Sequence, residues 1–561
     1  MIPVESVVGK RGGTRVRTSV AASVPDAWEV GAFYTCPQTA VYMARWIAES
    51  GARTVLEPSF GDGVFLRAVR QVAGAEVRLV GAELVPATFE QTVASGAITS
   101  ADAHLGDFLA WTPPTVDAVI GNPPYVRLRH LDREAATRAL RVTEDLLGRR
   151  METSGSVWMP FVLHASSALR RGGRMALVLP FDFTYVKYAR PLWKYLGSTF
   201  GGLRVVRVRE RLFPDILQQV VLLLADDYGG NTRRVTYQAF ESVEDVLANR
   251  PVVDEQILVE RLVAGEREFL RAHVPPRATE LLARLGPRLR QVKDEVAFNI
   301  GYVCGHKEFF HPSPVARRDY ALPEPSLLPT ISSSRMLSGR GLFTSGLDAS
   351  DADRLFLPPA EASALSDGEQ RYIAHGESQL VHERYKCRVR KPWYVTPFVK
   401  RPDLILSVFA ERPILSVNDA GYYATNSLLV GFAREGVDPA KFAAGWYTSL
   451  TLLYLEIEVH ALGGGVLVLI PGETGRLRTF VPDRSPSSSY LRRLDDAIQR
   501  GALEAAYQLG DAEVLQAELG LEAADIAAIR AAVDTLVLWR NSSHDAEQTY
   551  GDADDVEVDC S

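Results

Sequence analysis

The amino-acid sequence predicts an α/β layered domain built on a mostly parallel sheet, followed by an α+β domain with a helical end. Three observations lead there. Between residues 31 and 241, short β-branched runs alternate with helically patterned stretches. The first of these runs ends in a turn that holds Gly61 and Gly63. From 296 the texture changes to short strands rich in aromatics, Pro and Gly, and from 487 to Ala- and Leu-rich segments of helical period.

Taken in order, strands are predicted at 54–57, 77–83, 118–121, 175–180, 203–207 and 220–225, with helices at 37–50 and 64–72. The layered domain is placed at 20–245 and a charged, Leu-rich helical connector at 246–295. The α+β domain follows at 296–485, then C-terminal helices at 486–540. An acidic tail, 541–561, is expected to be disordered.

The bulk composition mostly excludes. A chain of 561 residues that is 47% hydrophobic can bury more than one core. No apolar run is long enough to span a bilayer, and the basic start lacks the apolar stretch of a secretion signal, so a cytoplasmic protein without a membrane partner is expected. The four cysteines form no CxxC pair, so neither a metal site nor a disulfide framework is expected. The net charge of −7 does not suggest a nucleic-acid binder. Seven acids lie in the tail, however, and the rest of the chain is neutral, which leaves room for a basic cleft.

The strongest local signal is TVLEPSFGDGVFLRAV, residues 54–69. A strand ends at Glu57, a glycine turn follows, and a helix begins. Glycine lets backbone bend sharply and lie against a ligand. The next strand ends in Glu83, twenty residues past Gly63, where doubly wound folds place an acid on ribose hydroxyls. A third strand delivers Asp107, placed to accept from an adenine amino group, with Phe108 flanking the ring. Either acid alone is equally well a helix N-cap or a solvated strand end. Together they favour a nucleoside pocket. The loop lacks GxxxxGK[ST], which disfavours ATP, and the third glycine of a dinucleotide fingerprint, which disfavours NAD.

The fourth strand runs into Asn122-Pro123-Pro124-Tyr125. The tetrapeptide resembles that of the gamma-class adenine-N6 DNA methyltransferases, and the resemblance implies methylation of an aromatic amine, whose lone pair is delocalised into its ring. The Asn122 side-chain carbonyl and the Pro123 backbone carbonyl can each accept one amine hydrogen, which draws the nitrogen towards tetrahedral geometry. The prolines hold those carbonyls rigidly, and Tyr125 offers a stacking face. A structural turn is the other reading of Asn-Pro-Pro.

The order GAFYTCPQTAVYMARWI, EPSFGDG, GAEL, GDFL, GNPPYVR resembles the TaqI-type, gamma-class adenine-N6 DNA methyltransferases. The resemblance is tight over 31–241 and loose beyond. It implies a Rossmann-like class I methyltransferase domain with a C-terminal target-recognition domain, S-adenosyl-L-methionine as cofactor, and double-stranded DNA as partner. It also implies a restriction-modification setting, with a cognate restriction endonuclease or defence-system subunits as further partners. Cofactor contacts are implied for Phe33, Thr35, Glu57, Pro58, Gly61, Gly63, Glu83, Leu84, Asp107 and Phe108. The catalytic group is Asn122, Pro123, Pro124 and Tyr125, with Phe213 as second wall for a base that must leave the stack. Thr35 or Cys36, before Pro37, is equally well a plain helix N-cap.

In the C-terminal half, RYKCRVRKPWY (384–394) and SSSRMLSGRGLF (332–343) combine cations with aromatics. Arg335, Arg340, Arg388, Arg390, Lys391 and Trp393 are the candidate DNA contacts; a solvated strand face is the alternative for each stretch. Release-factor glutamine-N5 methyltransferases share NPPY but need no large following domain, whereas about 320 residues follow here. A protein or RNA methyltransferase and a non-catalytic DNA-binding subunit are the other readings. Only about thirty residues precede the front segment, so a nuclease activity is not expected.

Overall fold

Nine strands from the first half of the chain form one sheet: β1 (Thr54–Glu57), β2 (Arg78–Glu83), β3 (Ala103–Leu105), β4 (Val116–Gly121), β5 (Leu169–Pro180), β6 (Phe200–Val208), β7 (Val220–Tyr228), β8 (Arg234–Phe240) and β9 (Val253–Leu258). The spatial order is β3-β2-β1-β4-β5-β7-β6-β8-β9. Strands β3 to β5 run parallel, β7 is antiparallel to both its neighbours, and β9 is an antiparallel edge on β8. The computed structural model describes residues 36–210, 219–348, 352–462 and 465–541.

The central strands are apolar on both faces because helices cover both. Val55, Leu79, Ala118, Ile120, Ala176 and Val178 face α1 (Pro37–Ala48) and α2 (Val64–Ala73). The alternate residues Leu56, Val80, Val119, Met175, Leu177 and Leu179 pack with α5 (Trp158–Ser167) and α6 (Arg190–Thr199); α3 is Pro86–Ala94 and α4 is Arg133–Leu147. The chain leaves β1 towards β2 on one side and returns through β4 on the other. That reversal opens a crevice at the C-terminal ends of β1 and β4.

Two predicted boundaries move. The sheet does not stop at 245, because β9, with the burial pattern of a polar edge, lies inside the predicted helical connector. The rest of the connector is not a separate unit either. Its helix Pro276–Leu285 shares one core with a four-stranded antiparallel sheet (Val296–Ile300, Leu428–Ala433, Leu404–Ser407, Leu415–Val417) and with the C-terminal helices Ser488–Gln499 and Ala523–Arg540. A smaller cluster surrounds Leu327–Ile331 and Asp353–Phe356.

The last helix also locks onto the first domain. Its Trp539 and Arg540 carbonyls accept from Gln219 Nε2 at 3.2 and 2.8 Å, and Arg207 Nη2 donates to the Trp539 carbonyl at 3.0 Å. The Arg207 guanidinium lies 4.0 Å from the Phe181 ring centroid and 5.1 Å from that of Trp539. No helix among the described residues is long and apolar enough to cross a membrane.

Candidate active site

The crevice is built from the ends of β1, β2 and β4. After β1 the backbone turns through Gly61 (φ 49°) and Gly63 (φ 79°), both in the left-handed region. A Cβ on Gly63 would stand 2.9 Å from Thr92 Cγ2 in α3, so the residue is glycine for space as well as for angle. A Cβ on Gly61 would meet nothing within 4 Å, so the loop faces open space there. Thr92 Oγ1 donates to the Gly61 carbonyl at 2.7 Å and holds the loop from behind.

Glu83 ties that loop to β2. One carboxylate oxygen accepts from Gly61 N–H and the other from Val85 N–H, each at 2.9 Å. Each oxygen retains a further lone pair. Beside it, Leu84 is 59% exposed, a large apolar side chain left open at the rim of the crevice. Glu57 is 1% exposed, and its Oε2 has no hydrogen-bond partner. Burial, with Asp62 and Glu83 nearby, pushes its carboxyl well above the usual range. Pro58 is buried next to it, and Gly121 leaves room for the Pro58 ring.

The Asn122–Tyr125 stretch closes the other wall. Ser59 Oγ donates to the Asn122 carbonyl at 3.2 Å, which fixes the glycine-loop side to the tetrapeptide. The Tyr125 hydroxyl donates to Asn122 Oδ1 at 2.7 Å and is 3.2 Å from the Val178 carbonyl in β5. Burial raises the Tyr125 phenol well above its ordinary pKa, so it stays protonated and a donor. Pro123 is buried and Pro124 half-buried. The turn is thus anchored to two strands, and Asn122, Tyr125 and the glycine bend meet in one crevice.

Several predicted side chains stand elsewhere. Phe108 is 2% exposed and packs against Phe161 and His164, at 5.2 and 4.8 Å between centroids. Its ring is part of the core. Asp107 Oδ1 caps the turn by accepting from Leu109 N–H, and Oδ2 pairs with Arg138 Nε, both at 2.9 Å. Each of its oxygens is thus bonded once within the protein and, as at Glu83, keeps a further lone pair. Among the recognition candidates, Arg390 gives its guanidinium to the Cys304 and Val303 carbonyls at 2.8 and 2.6 Å. Trp393 donates to Glu377 Oε1 at 3.1 Å and packs on Phe309. These two brace the fold. Arg335, Arg388 and Lys391 are exposed and Arg340 is half-buried. Phe33, Thr35 and Phe213 lie outside the described residues, while Cys36 caps α1 with Pro37 in its first turn.

Sequence reasoning missed Ser59, Thr92 and Arg138. Ser59 lies inside the quoted loop, but its hydroxyl carries no spacing signal of its own. Thr92 sits in an ordinary helix and acts across 31 residues.

Comparison with known proteins matches both halves of the chain to one kind of enzyme. Residues 107–205 match the Eco57I restriction-modification methylase family, and residues 266–515 the C-terminal domain of Type II methyltransferase M.Eco57I. Together these cover more than half of the chain. The second match starts in the predicted connector and runs into the C-terminal helices, in agreement with their shared core.

The chain is 24% identical over 394 residues to Type II methyltransferase M.AccI of Acinetobacter calcoaceticus, covering 67% of this chain and 71% of that protein. It is 31% identical over 180 residues to Type II methyltransferase M.TthHB8I of Thermus thermophilus, a match that covers 29% of this chain but only 39% of the relative. The solved structure of the Type IIL restriction-modification enzyme MmeI in complex with DNA shares the fold. Its TM-score is 0.50 at 11% identity, covering 89% of this chain and 75% of that one.

The methyl donor of this fold is S-adenosylmethionine, and the crevice suits it. The unpartnered, buried Glu57 oxygen can take the donor's ammonium, the spare Glu83 lone pairs its ribose hydroxyls, and the open Leu84 side chain its adenine face. With both halves matched and the donor accommodated, the chain belongs to the Eco57I-type restriction-modification methylases, a family of DNA methyltransferases.

Proposed function

We propose that this DNA methyltransferase methylates the exocyclic N6 of adenine, taken out of the duplex, as the modification arm of a restriction-modification system. The observation that carries the reading is the position of Asn122: it directly follows β4 at the reversal of strand order, bonded through its backbone carbonyl to Ser59 of the glycine loop.

S-adenosylmethionine supplies an activated methyl when bound at Glu57, Gly61, Gly63, Glu83 and Leu84. This chain then has to bind, orient and dehydrate the amine. Asn122 Oδ1 and the Pro123 carbonyl accept the two N6 hydrogens, which localises the nitrogen lone pair. The Tyr125 hydroxyl fixes Oδ1 by a hydrogen bond, so the acceptor does not have to reorganise. The nitrogen–carbon bond forms as the carbon–sulfur bond breaks, and the surplus amine proton leaves along the carbonyls to water. Asparagine in that position favours adenine over cytosine N4 as the target. Exposed Arg335, Arg388 and Lys391, with half-buried Arg340, are the recognition contacts we assign on the C-terminal half.

The test is transfer of labelled methyl from S-adenosylmethionine to DNA, followed by digestion and chromatography of the nucleosides. N6-methyladenine is the expected product, and Asn122→Ala should lower its formation at least about a hundredfold. N4-methylcytosine, or label in protein alone, would refute the reading.

A further inference from the structure

Outside the donor crevice, the first domain holds a cavity of about 540 Å³ between the C-terminal end of α4, the segment 149–152 and the start of α6. Arg149, Arg150, Lys187, Arg190 and Lys194 line it, against the carboxylate of Glu152. Arg150 is paired with Glu144 at 2.7 Å and Lys187 with Glu152 at 3.6 Å. Arg149, Arg190 and Lys194 have no acidic partner among the described residues.

Arg190 is the telling member. Its Nε is buried with no acceptor, and its guanidinium lies so close to Gly265 that a Cβ there would stand 2.2 Å from Cζ. Burial and the neighbouring Arg476 and Arg267 lower its pKa, so its charge is held against desolvation and like-charge repulsion. Those two neighbours bond carboxylates of their own, Glu458 and Glu473. A positioned, uncompensated guanidinium beside two further unpaired cations is costly unless an anion completes it. The wall is also tied to the target loop: Arg127 Nη1 donates to the Ser154 carbonyl at 3.1 Å, and Val157 N–H to the Val126 carbonyl at 2.9 Å.

We infer that this cavity is a phosphoryl-anion site, filled by a phosphodiester of the DNA substrate. The inference rests on the methyltransferase reading for the source of the anion, and on the cavity alone for its chemistry. Phosphate is favoured because planar guanidinium groups and a point-charge ammonium line the same cavity.

The test uses the full chain and its Arg190→Gln/Lys194→Gln variant, with Arg149→Gln, on the exposed rim, as a second variant should the first fold poorly. DNA binding is followed by fluorescence anisotropy across a salt series. The expected result is about tenfold weaker binding for the double variant, with a salt slope shallower by about two and unchanged S-adenosylmethionine binding. In parallel, inorganic phosphate should raise the melting temperature of the wild type and not of the variant. Unchanged DNA affinity and slope, with no phosphate response, overturn the site. A phosphate response without a DNA effect keeps the anion site and overturns its assignment to DNA. If the wild type binds no DNA at all, the methyltransferase reading fails while the phosphate arm still judges the cavity.

Discussion

The Tyr125 hydroxyl donates to Asn122 Oδ1 at 2.7 Å, so the aromatic residue of the tetrapeptide also orients the amide of its first residue. Two roles that the sequence assigns to separate side chains are thus coupled. Tyr125→Phe keeps the ring and loses the bond, and should lower kcat about tenfold, with little change in KM for DNA. Tyr125→Ala loses both and should lower kcat/KM at least about a hundredfold. Steady-state kinetics on duplex DNA decide; equal losses in the two variants would mean that the hydroxyl alone matters.

Glu57 should make the donor-free protein less stable as pH rises. Its folded carboxyl is raised well above the ordinary value, so the folded state keeps a proton that the unfolded chain has already released. Stability therefore falls between the unfolded pKa, about 4.3, and the raised folded one, at up to about 1.4 kcal/mol per pH unit. Glu57→Gln should flatten that slope and raise the melting temperature at neutral pH, while S-adenosylmethionine affinity drops about ten- to hundredfold. Thermal melts across pH, with and without the donor, test both halves of the statement.

Gly63→Ala should cost about 1–2 kcal/mol from the left-handed backbone alone, and more from the 2.9 Å approach to Thr92 Cγ2. Thr92→Ser removes that methyl and keeps the hydroxyl that bonds Gly61. The double variant should therefore recover part of the loss in urea unfolding, leaving the backbone share. Additive costs would show that the approach to Thr92 contributes nothing.

The site was legible where chemistry restricts residue choice. Asn122-Pro123-Pro124-Tyr125 and the glycine bend have few other uses in that order, and the structure brings them together through Ser59. Asp107 is harder to read because an acid that caps a turn and an acid that binds a ligand look alike in sequence, and its ion-pair partner Arg138, 31 residues away, gives no local signal. Arg390 and Trp393 sat in a basic, aromatic stretch, but composition does not say which side chains fold inward. Edge strand β9 escaped because three of its six residues are exposed and it carries no apolar alternation. The connector helix was seen, but the last helix it packs on, Ala523–Arg540, lies more than two hundred residues away, beyond any periodicity signal.

Trp539 should hold the two halves together. Its ring lies 4.3 Å from His273 and 5.1 Å from the Arg207 guanidinium, and the His273 ring bonds the Tyr237 hydroxyl at 2.7 Å. Trp539→Ala should cost about 3–5 kcal/mol in chemical unfolding. The same joint should weaken in acid. Burial, helped by Arg207, holds the folded His273 pKa well below 6.5, so the unfolded chain binds the extra proton first. Stability is then full above about pH 6.5 and falls as pH drops through that value towards the folded pKa, by up to about 1.4 kcal/mol per unit. His273→Gln should remove this part of the acid slope. A slope unchanged in that variant would assign the acid sensitivity to other groups and leave Trp539 as a packing residue alone.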